Sequence, residues 1–176
     1  MGDERLSTQY VIDSNVFIEA KKRYYAFGIC PGFWDSLLWH HAAGTVWSVD
    51  RVRAELLAQA DELATWVKDT VPKEAFCSTN DQAVVTAYGE AVTWVHDQAF
   101  YLPRAEAEFS GVTAVDPWVI AYAKANGMTL VTDEILRADR KKRVPIPNVC
   151  VGLHVPYVNS FEMLNALQAE FRWQSP

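Results

Sequence analysis

The stretch Tyr10-Val11-Ile12-Asp13-Ser14-Asn15-Val16 decides the fold, because an apolar strand pattern gives way within it to a helical one. We predict a strand over Tyr10–Ile12 and a helix from Val16 to Tyr25. A second strand, predicted over Met128 to Thr132, also stops at an aspartate, Asp133. Two strands that each end on an acidic residue are therefore the starting point for both the fold and the function.

Helical and extended patterns alternate along the rest of the chain. Further strands are predicted over 45–48 and 155–158, and helices over 33–43, 50–59, 63–69, 81–98, 116–126 and 161–171, with one helical turn over 148–153. Alternation of strands with helices is typical of a parallel sheet sandwiched between helices. The expected fold class is α/β, with a central, mainly parallel sheet of four to five strands flanked by helices.

Composition sets the broad class of the protein. The 176 residues are 50% hydrophobic and 22% charged, which predicts one globular domain over 1–176 with a core from about 9 to 167. The longest uncharged run, Val144 to Phe161, contains three prolines and a glycine, so no membrane segment is expected. The N-terminus, Met1-Gly2-Asp3-Glu4-Arg5, is charged and lacks an apolar targeting stretch. We therefore expect a cytoplasmic protein.

The cysteines and histidines give no pattern of a metal site or a disulfide framework. Cys30, Cys77 and Cys150 are odd in number and far apart, with no paired spacing. The four histidines are either isolated or adjacent on one helical stretch, so none is assigned to chemistry. The candidate chemistry rests on carboxylates instead.

Four acidic residues can meet at one edge of the predicted sheet. Asp13 and Asp133 follow two strands, and parallel strands end at a common edge, where ligands of such sheets bind. Asp116 begins the helix that leads into the second of these strands, and Glu55 lies one turn into the helix after the strand 45–48. Each acid taken singly has an ordinary use as a helix cap, a turn residue or a solvated side chain.

A cluster of carboxylates is stable only if a cation offsets the repulsion between their negative charges. Two carboxylates ~4 Å apart repel each other by roughly 4 kcal/mol at an effective dielectric constant of 20. Oxygen ligands suit Mg²⁺ or Mn²⁺, which can activate a water molecule for attack on a phosphodiester. We predict that Asp13, Asp116 and Asp133 are metal ligands, and that Glu55 is a ligand or orients the attacking water.

In four short motifs the chain resembles the PIN-domain family, the metal-dependent ribonucleases that include the VapC toxins of prokaryotic toxin–antitoxin pairs. The motifs are Val11-Ile12-Asp13-Ser14-Asn15, Val52-Arg53-Ala54-Glu55-Leu56, Asp116-Pro117-Trp118-Val119-Ile120-Ala121 and Leu130-Val131-Thr132-Asp133-Glu134. Their order and spacing cover the chain from about Gln9 to Leu167. The stretches from Lys22 to Trp34 and from Ile146 to Cys150 resemble an uncharacterised PIN subgroup.

The resemblance implies a PIN-like fold, a four-carboxylate Mg²⁺ or Mn²⁺ site, and hydrolysis of RNA that leaves a 5′ phosphate. It also implies the toxin of a toxin–antitoxin pair, with a cognate antitoxin as partner. The connection from Glu55 to Asp116 is longer than in the compact toxins, and an aromatic insert spans Tyr24 to Trp34. These departures leave open which RNA is cleaved and whether the protein forms the homodimer usual for the toxins.

Basic residues follow Asp133 closely, although the net charge of the chain is −6. Five bases lie between positions 137 and 143, and we interpret Arg140, Lys141, Lys142 and Arg143 as a grip on substrate phosphates, with a solvated loop as the equal alternative. Neighbouring polar groups extend the candidate site. Asn15, Ser14 and Thr132 could hydrogen-bond a ligand or substrate oxygen, and Glu134 or Asp139 could supply a fifth acid.

Two alternatives remain at this stage. The large side chains of the insert, among them Tyr24, Tyr25, Phe27, Phe33 and Trp34, could stack on bases or bind a partner, but packing in the core or a lid is favoured. The protein as a whole could be a non-catalytic PIN-fold module that binds RNA or a partner protein. A receiver-like signalling domain is disfavoured, because Ser14 rather than a second acid follows Asp13.

Overall fold

The computed structural model describes residues 8–173. The strands are β1 (Tyr10–Ile12), β2 (Val46–Val49), β3 (Phe76–Cys77), β4 (Thr129–Val131) and β5 (Tyr157–Val158). The helices are α1 (Ser14–Lys22), α2 (Pro31–Ala42), α3 (Asp50–Ala58), α4 (Glu62–Asp69), α5 (Gln82–Asp97), α6 (Pro103–Phe109), α7 (Asp116–Asn126), α8 (Ile146–Leu153) and α9 (Ser160–Ala166). The charged residues 1–5, on which the cytoplasmic expectation rests, lie outside the described residues.

The five strands form one parallel sheet in the order β3-β2-β1-β4-β5. The expected α/β class with a central parallel sheet is therefore confirmed. β1 lies in the middle, and Ile12 pairs with Val131 of β4. This register brings the residues that follow both strands to the same edge of the sheet.

The sheet is buried on both faces, which explains why its strands are apolar runs rather than alternating ones. Val11 and Ile12 of β1 and Leu130 and Val131 of β4 have no exposed surface. Helices pack on both sides, and α5 and α7 make an extensive contact with each other. Among residues 8–173, no helix is both long and apolar enough to cross a membrane.

Two helices have strong end signals in the sequence, and the boundaries that these signals mark lie at or next to the predicted residues. α7 runs over the predicted residues, with Pro117 in its first turn and Gly127 ending it in the left-handed region at φ 63°. α9 begins with a capping box, in which the Asn159 side chain accepts from the backbone N of Glu162 and the Glu162 side chain accepts from the backbone N of Asn159. α9 ends at Ala166 rather than at the expected residue 171.

Two elements were not expected from the sequence. β3 has only two residues, too few for a recognisable period. α6 begins at Pro103, in a stretch between the predicted helices 81–98 and 116–126 where no element was expected. A proline is well tolerated in the first turn of a helix, where its missing N–H has no partner to lose.

Most of the aromatic insert is part of the core, as the favoured interpretation predicted. Phe33 and Trp34 are buried, and Phe27 stacks on Trp34 with ring centroids 4.1 Å apart. The Trp34 indole Nε1 donates a hydrogen bond of 2.7 Å to the carbonyl of Tyr25. Tyr24 is the exception, because 65% of its surface is exposed.

Candidate active site

Asp13 lies directly after β1 and has no exposed surface. It stands at the N-cap of α1, yet its side chain accepts no capping hydrogen bond. Among residues 8–173, two long side-chain contacts reach its carboxylate, from the hydroxyls of Ser14 at 3.4 Å and Thr132 at 3.5 Å, and the backbone of Ser14 adds a hydrogen bond. The ordinary interpretation of Asp13 as a helix cap is therefore wrong, and a buried carboxylate remains with little to stabilise it.

Asp116 is the first residue of α7, and the N-cap position before it is held by Val115, which has no side chain able to cap the helix. Its carboxylate oxygen Oδ2 lies 3.8 Å from a guanidinium nitrogen of Arg143. α7 begins at the sheet edge at which β1 and β4 end, which is how the sequence pattern placed Asp116 beside Asp13. A second acid thus faces the same region without a structural role in its own helix.

Glu55 comes from α3 and contributes an orphaned atom. Its carboxylate oxygen Oε2 is buried and has no hydrogen-bond partner among residues 8–173. A buried polar atom without a partner costs the folded state roughly 1–3 kcal/mol, and Nε of Arg53 on the same helix is a second such atom. Glu55 therefore has a carboxylate oxygen with unused capacity to accept a hydrogen bond or to bind a cation.

The two acids after β4 have different surroundings. Asp133 is exposed and accepts hydrogen bonds from Ser160 at the start of α9, from the backbone N at 2.9 Å and the hydroxyl at 3.1 Å. Glu134 accepts a bond of 2.9 Å from the backbone N of Ile146 and a bond from the Arg143 guanidinium. Arg143 thus forms ion pairs with both Glu134 and Asp116. Asp133 instead accepts hydrogen bonds from the first residue of α9.

The charges of four acids act on one another. Burial, chiefly, and the negative charges of Asp116, Glu134 and Glu55 raise the pKa of Asp13 well above its usual value. Burial likewise raises the pKa of Asp116 to about 6, with Glu134 and Glu55 adding to the rise and Arg143 opposing it. Asp13, Glu55, Asp116 and Glu134, here called the acid cluster, are therefore electrostatically coupled.

Arg143 supplies positive charge to the acid cluster. Its guanidinium bonds Glu134 and approaches Asp116, while 44% of its side chain stays exposed. As they stand, no three acidic, histidine or cysteine side chains within residues 8–173 are close enough together to hold one metal ion. A cleft of about 210 Å³, lined by Glu55, Asp116 and Arg143 among others, opens the cluster to solvent.

Comparison with known families assigns the chain. A family described as a domain of unknown function, DUF4411, matches residues 10–171. The chain belongs to the DUF4411 family. Comparison of this DUF4411 chain with curated proteins gives no match.

Solved structures similar to the DUF4411 chain have the PIN fold. FitAcB from Neisseria gonorrhoeae has a TM-score of 0.55 at 15% identity, covering 87% of this chain and 99% of that one. VapBC2 from Rickettsia felis, bound to a DNA fragment from its promoter, has a TM-score of 0.52 at 14% identity and covers 85% and 97%. FitAB bound to the IR36 DNA fragment has a TM-score of 0.53 at 16% identity and covers 86% and 94%. The resemblance to PIN-domain proteins of the VapC type is thereby confirmed for the fold.

The basic residues of the DUF4411 chain do not form one grip. Lys141 lies over the ring of Phe100 at 5.3 Å, and its carbonyl accepts from Leu102 at 2.9 Å. Arg143 turns toward the acid cluster, whereas Arg140 and Lys142 are exposed. The structure therefore separates Arg143 from the other predicted phosphate contacts.

The predicted hydroxyls and amide lie near Asp13. Ser14 and Thr132 both contact the Asp13 carboxylate, and Thr132 also accepts from the backbone N of Glu134 at 3.3 Å. Asn15 is half-buried in the first turn of α1. Asp139 is exposed in the loop after β4.

The two-residue period of an extended chain explains why Glu134 rather than Asp133 joins Asp13. Side chains alternate between the two sides of a strand, so Thr132 and Glu134 point the same way and Asp133 points the other way. Thr132 contacts Asp13, and Glu134 follows it to that side. Extending the strand period beyond Val131 would have favoured Glu134 from the sequence.

Proposed function

We propose that this protein is a metal-dependent endoribonuclease that hydrolyses phosphodiester bonds of RNA at the acid cluster. The observation that carries the proposal is Asp13, fully buried, without a capping role and surrounded by the charges of three other acids. Such an arrangement destabilises a metal-free protein and is typical of a site that binds a cation. The PIN fold and the matching motifs support the same activity.

The chemistry of the donor set fits a hard divalent ion, and the four side chains would have to move closer together to surround one. All four side chains of the acid cluster offer carboxylate oxygens, which suit Mg²⁺ or Mn²⁺, and Glu55 Oε2 is already without a partner. Asp13, Glu55, Asp116 and Glu134 would hold the ion, directly or through water. When bound, such an ion lowers the pKa of a water molecule and neutralises charge on the phosphate.

The chain's own residues orient the reacting groups. Asp13 and Asp116 are fixed on β1 and α7, while the hydroxyls of Ser14 and Thr132 hold the two oxygens of Asp13. Glu55 Oε2 can accept a proton from an attacking water and so aim its lone pair at phosphorus. Asp133, which we had predicted as a ligand, holds α9 in this proposal.

Arg143 has two successive roles in the proposal. Without a metal it compensates part of the charge on Glu134 and Asp116. If a metal held by these acids supplied that compensation, the Arg143 guanidinium would be free to bind a substrate phosphate through two N–H groups. Arg140, Lys141, Lys142 and Asn15 would add weaker contacts to the RNA.

We further propose that the protein is the toxin of a toxin–antitoxin pair in the cytoplasm. The structural likeness to FitAB and VapBC2 supports a cognate antitoxin as partner. A homodimer, usual in the family that the sequence resembles, belongs to the same proposal. Co-expression with the product of a gene adjacent to that of this protein, followed by co-purification, tests the partner.

A non-catalytic module that binds RNA or a partner is the second candidate. The ion pairs of Arg143 with Glu134 and Asp116 favour it, because an internal cation could replace the metal permanently. The two candidates differ in whether a divalent ion can displace this guanidinium. Arg143→Gln should then tighten metal binding if the site is catalytic and should create no metal binding if it is not.

Incubation of the purified protein with end-labelled RNA tests the proposed activity. We expect cleavage with Mg²⁺ or Mn²⁺, loss of cleavage in EDTA, and loss in Asp13→Asn and Glu134→Gln. Asp139→Asn, which neutralises an exposed acid of the same loop, is the matched control and should cleave normally. Cleavage that persists in EDTA and in both cluster variants would contradict the proposal.

A further inference from the structure

A second, larger cleft adjoins the acid cluster. It has a volume of about 670 Å³ and includes Thr132 and Glu134 in its lining, so it is continuous with the proposed site of hydrolysis. Its other wall carries aromatic side chains from the end of α1 and from the start of α9, here called the aromatic cleft. No residue of this wall has a role in the proposed hydrolysis.

Two exposed rings stand at the aromatic cleft. Tyr24 and Phe161 meet edge to face, with centroids 5.9 Å apart and planes at 70°, and are 65% and 52% exposed. Tyr25 lies beneath them, 6.3 Å from Phe161, and stacks on the buried Phe33 at 4.3 Å. The exposed rings thus rest on side chains of the core and remain open to solvent.

Apolar exposure continues around the cleft. Ile135 and Leu136 line it and are 59% and 52% exposed. Exposed apolar groups gathered beside a polar site mark a binding surface more often than a solvated one. The occupant must therefore offer a flat apolar group to the rings.

The charges of the cleft restrict that occupant further. Carboxylates of Glu19, Asp133, Glu134 and Glu162 line it, and these repel a phosphate group. The same oxygens have spare lone pairs that accept hydrogen bonds from N–H groups. Arg23, the cation among the lining residues, pairs with Glu19 and keeps 64% of its side chain exposed. The cleft can therefore accommodate a flat, uncharged group that carries N–H donors. The exposed Arg23 guanidinium can contact a phosphate attached to that group, with the phosphate outside the cleft.

We propose that the aromatic cleft binds an unpaired nucleobase of the RNA substrate next to the scissile phosphate, with rings contributed by this chain's aromatic insert and by α9. This inference rests on the proposed hydrolysis, because Glu134 belongs to both sites. A base in a duplex is stacked and paired on both sides, whereas an unpaired base is free to stack on a protein ring. Tyr24 and Phe161 provide the stacking surface.

RNA binding in EDTA tests the inference without cleavage. The probe is a single-stranded oligoribonucleotide that carries 2-aminopurine, whose fluorescence is quenched when it stacks. We expect quenching on binding, and an affinity at least about tenfold higher than for the same sequence in a duplex. Tyr24→Ala and Phe161→Ala should each lose about tenfold in affinity together with the quenching, and Tyr24→Phe should keep both.

Two controls separate stacking from folding and from general loss of aromatic surface. Tyr24→Leu keeps apolar bulk and should fold normally by circular dichroism, yet lose the quenching. Trp39→Ala removes an aromatic residue that is 66% exposed and lies outside the cleft, and should bind like the wild type. Equal affinity for single-stranded and duplex RNA, or unchanged binding by Tyr24→Ala, would overturn the inference and leave a peptide as occupant.

The experiments give different results if the base-binding cleft is wrong and if the proposed hydrolysis is wrong. If the wild type cleaves RNA with metal and Tyr24→Ala cleaves and binds equally well, hydrolysis stands and the base site falls. If no cleavage occurs with metal but quenching depends on Tyr24 and Phe161, the base site stands and hydrolysis falls.

Discussion

At the scale of single residues, the acid cluster lowers the free energy of unfolding of the metal-free protein. Asp13 and Asp116 must give up hydration in the fold and face like charges, which is why their pKa values are raised. Arg143 offsets part of this cost. The cost depends on pH, because it arises only when the carboxylates are ionised.

Neutralising Asp116 should therefore stabilise the metal-free protein at neutral pH. The pKa of Asp116 is about 6 in the fold and near 3.8 in the unfolded chain, so its contribution to stability is greatest below pH 3.8 and is lost as pH rises through 6. In EDTA, the free energy of unfolding of Asp116→Asn relative to wild type should rise by up to about 3 kcal/mol between about pH 4 and pH 7. Urea denaturation measures this difference.

Asp139→Asn is the control for that pH series, since Asp139 is exposed in the loop after β4. Its free energy of unfolding should follow the wild type at every pH. A relative stability of Asp116→Asn that stays constant from pH 4 to pH 7 would show that Asp116 is not crowded by other charges.

Asp133 should matter for folding more than for cleavage. Its carboxylate holds the backbone N and hydroxyl of Ser160, so Asp133→Ala should lower the free energy of unfolding by about 1 kcal/mol, as loss of a helix cap does. Cleavage should fall far less than in Glu134→Gln. Thermal melting and RNA cleavage of both variants, with Ser160→Ala as a partner control, check this; loss of cleavage in Asp133→Ala equal to that in Glu134→Gln would restore Asp133 as a ligand.

The sequence predicts the position of a site residue only where that position follows from a local pattern, such as the end of a strand or the start of a helix. Asp13 and Asp116 were identified because strand ends and helix starts are local signals, and the parallel topology then brings them together. The choice between Asp133 and Glu134 depends on which side the chain faces after β4, beyond the last paired residue. The turn of Arg143 toward the cluster depends on tertiary contacts and left no local signal.

At the scale of elements, α8 and α5 bring the loop after β4 against the rest of the fold. Gly152 of α8 lies against the indole of Trp94 of α5, where an added Cβ would stand 2.1 Å from the ring. The contact therefore requires a residue without a side chain. Close helix packing of this kind fixes α8, which begins at Ile146, three residues after Arg143.

Gly152→Ala should consequently destabilise the protein by roughly 1–3 kcal/mol, because the ring and both helices must shift. Gly89→Ala is the matched control within α5: a Cβ there meets open space, so the change should stabilise the helix by roughly 0.5–1 kcal/mol. Urea denaturation of the two variants gives the comparison. Equal effects of the two substitutions would contradict the packing described here.

Helices with strong end signals and longer strands were predictable, whereas elements defined by contacts were not. α7 has a proline in its first turn and a left-handed glycine at its end, and both are visible in the sequence. β3 exists because Phe76 and Cys77 pair with β2, which no short pattern reveals. Tertiary pairing, rather than propensity, creates such an element.

At the scale of the whole molecule, the fold gathers four acids from distant parts of the chain. β1, α3, α7 and the segment after β4 each contribute one, and the parallel sheet brings them to a single edge. The long connection between Glu55 and Asp116 forms α4, β3, α5 and α6, and it encloses the site without supplying an acid to the cluster. The aromatic insert adds a second cleft beside this edge.

Binding of Mn²⁺ measured by isothermal titration calorimetry tests the acid cluster most directly. The wild type should bind Mn²⁺, and Asp13→Asn, Glu55→Gln, Asp116→Asn and Glu134→Gln should each lose at least about tenfold in affinity, as loss of an essential group at a metal site does. Asp133→Asn should bind like the wild type. Absence of Mn²⁺ binding to the wild type, or affinities in all four cluster variants as high as that of the wild type, would contradict a metal site at the acid cluster.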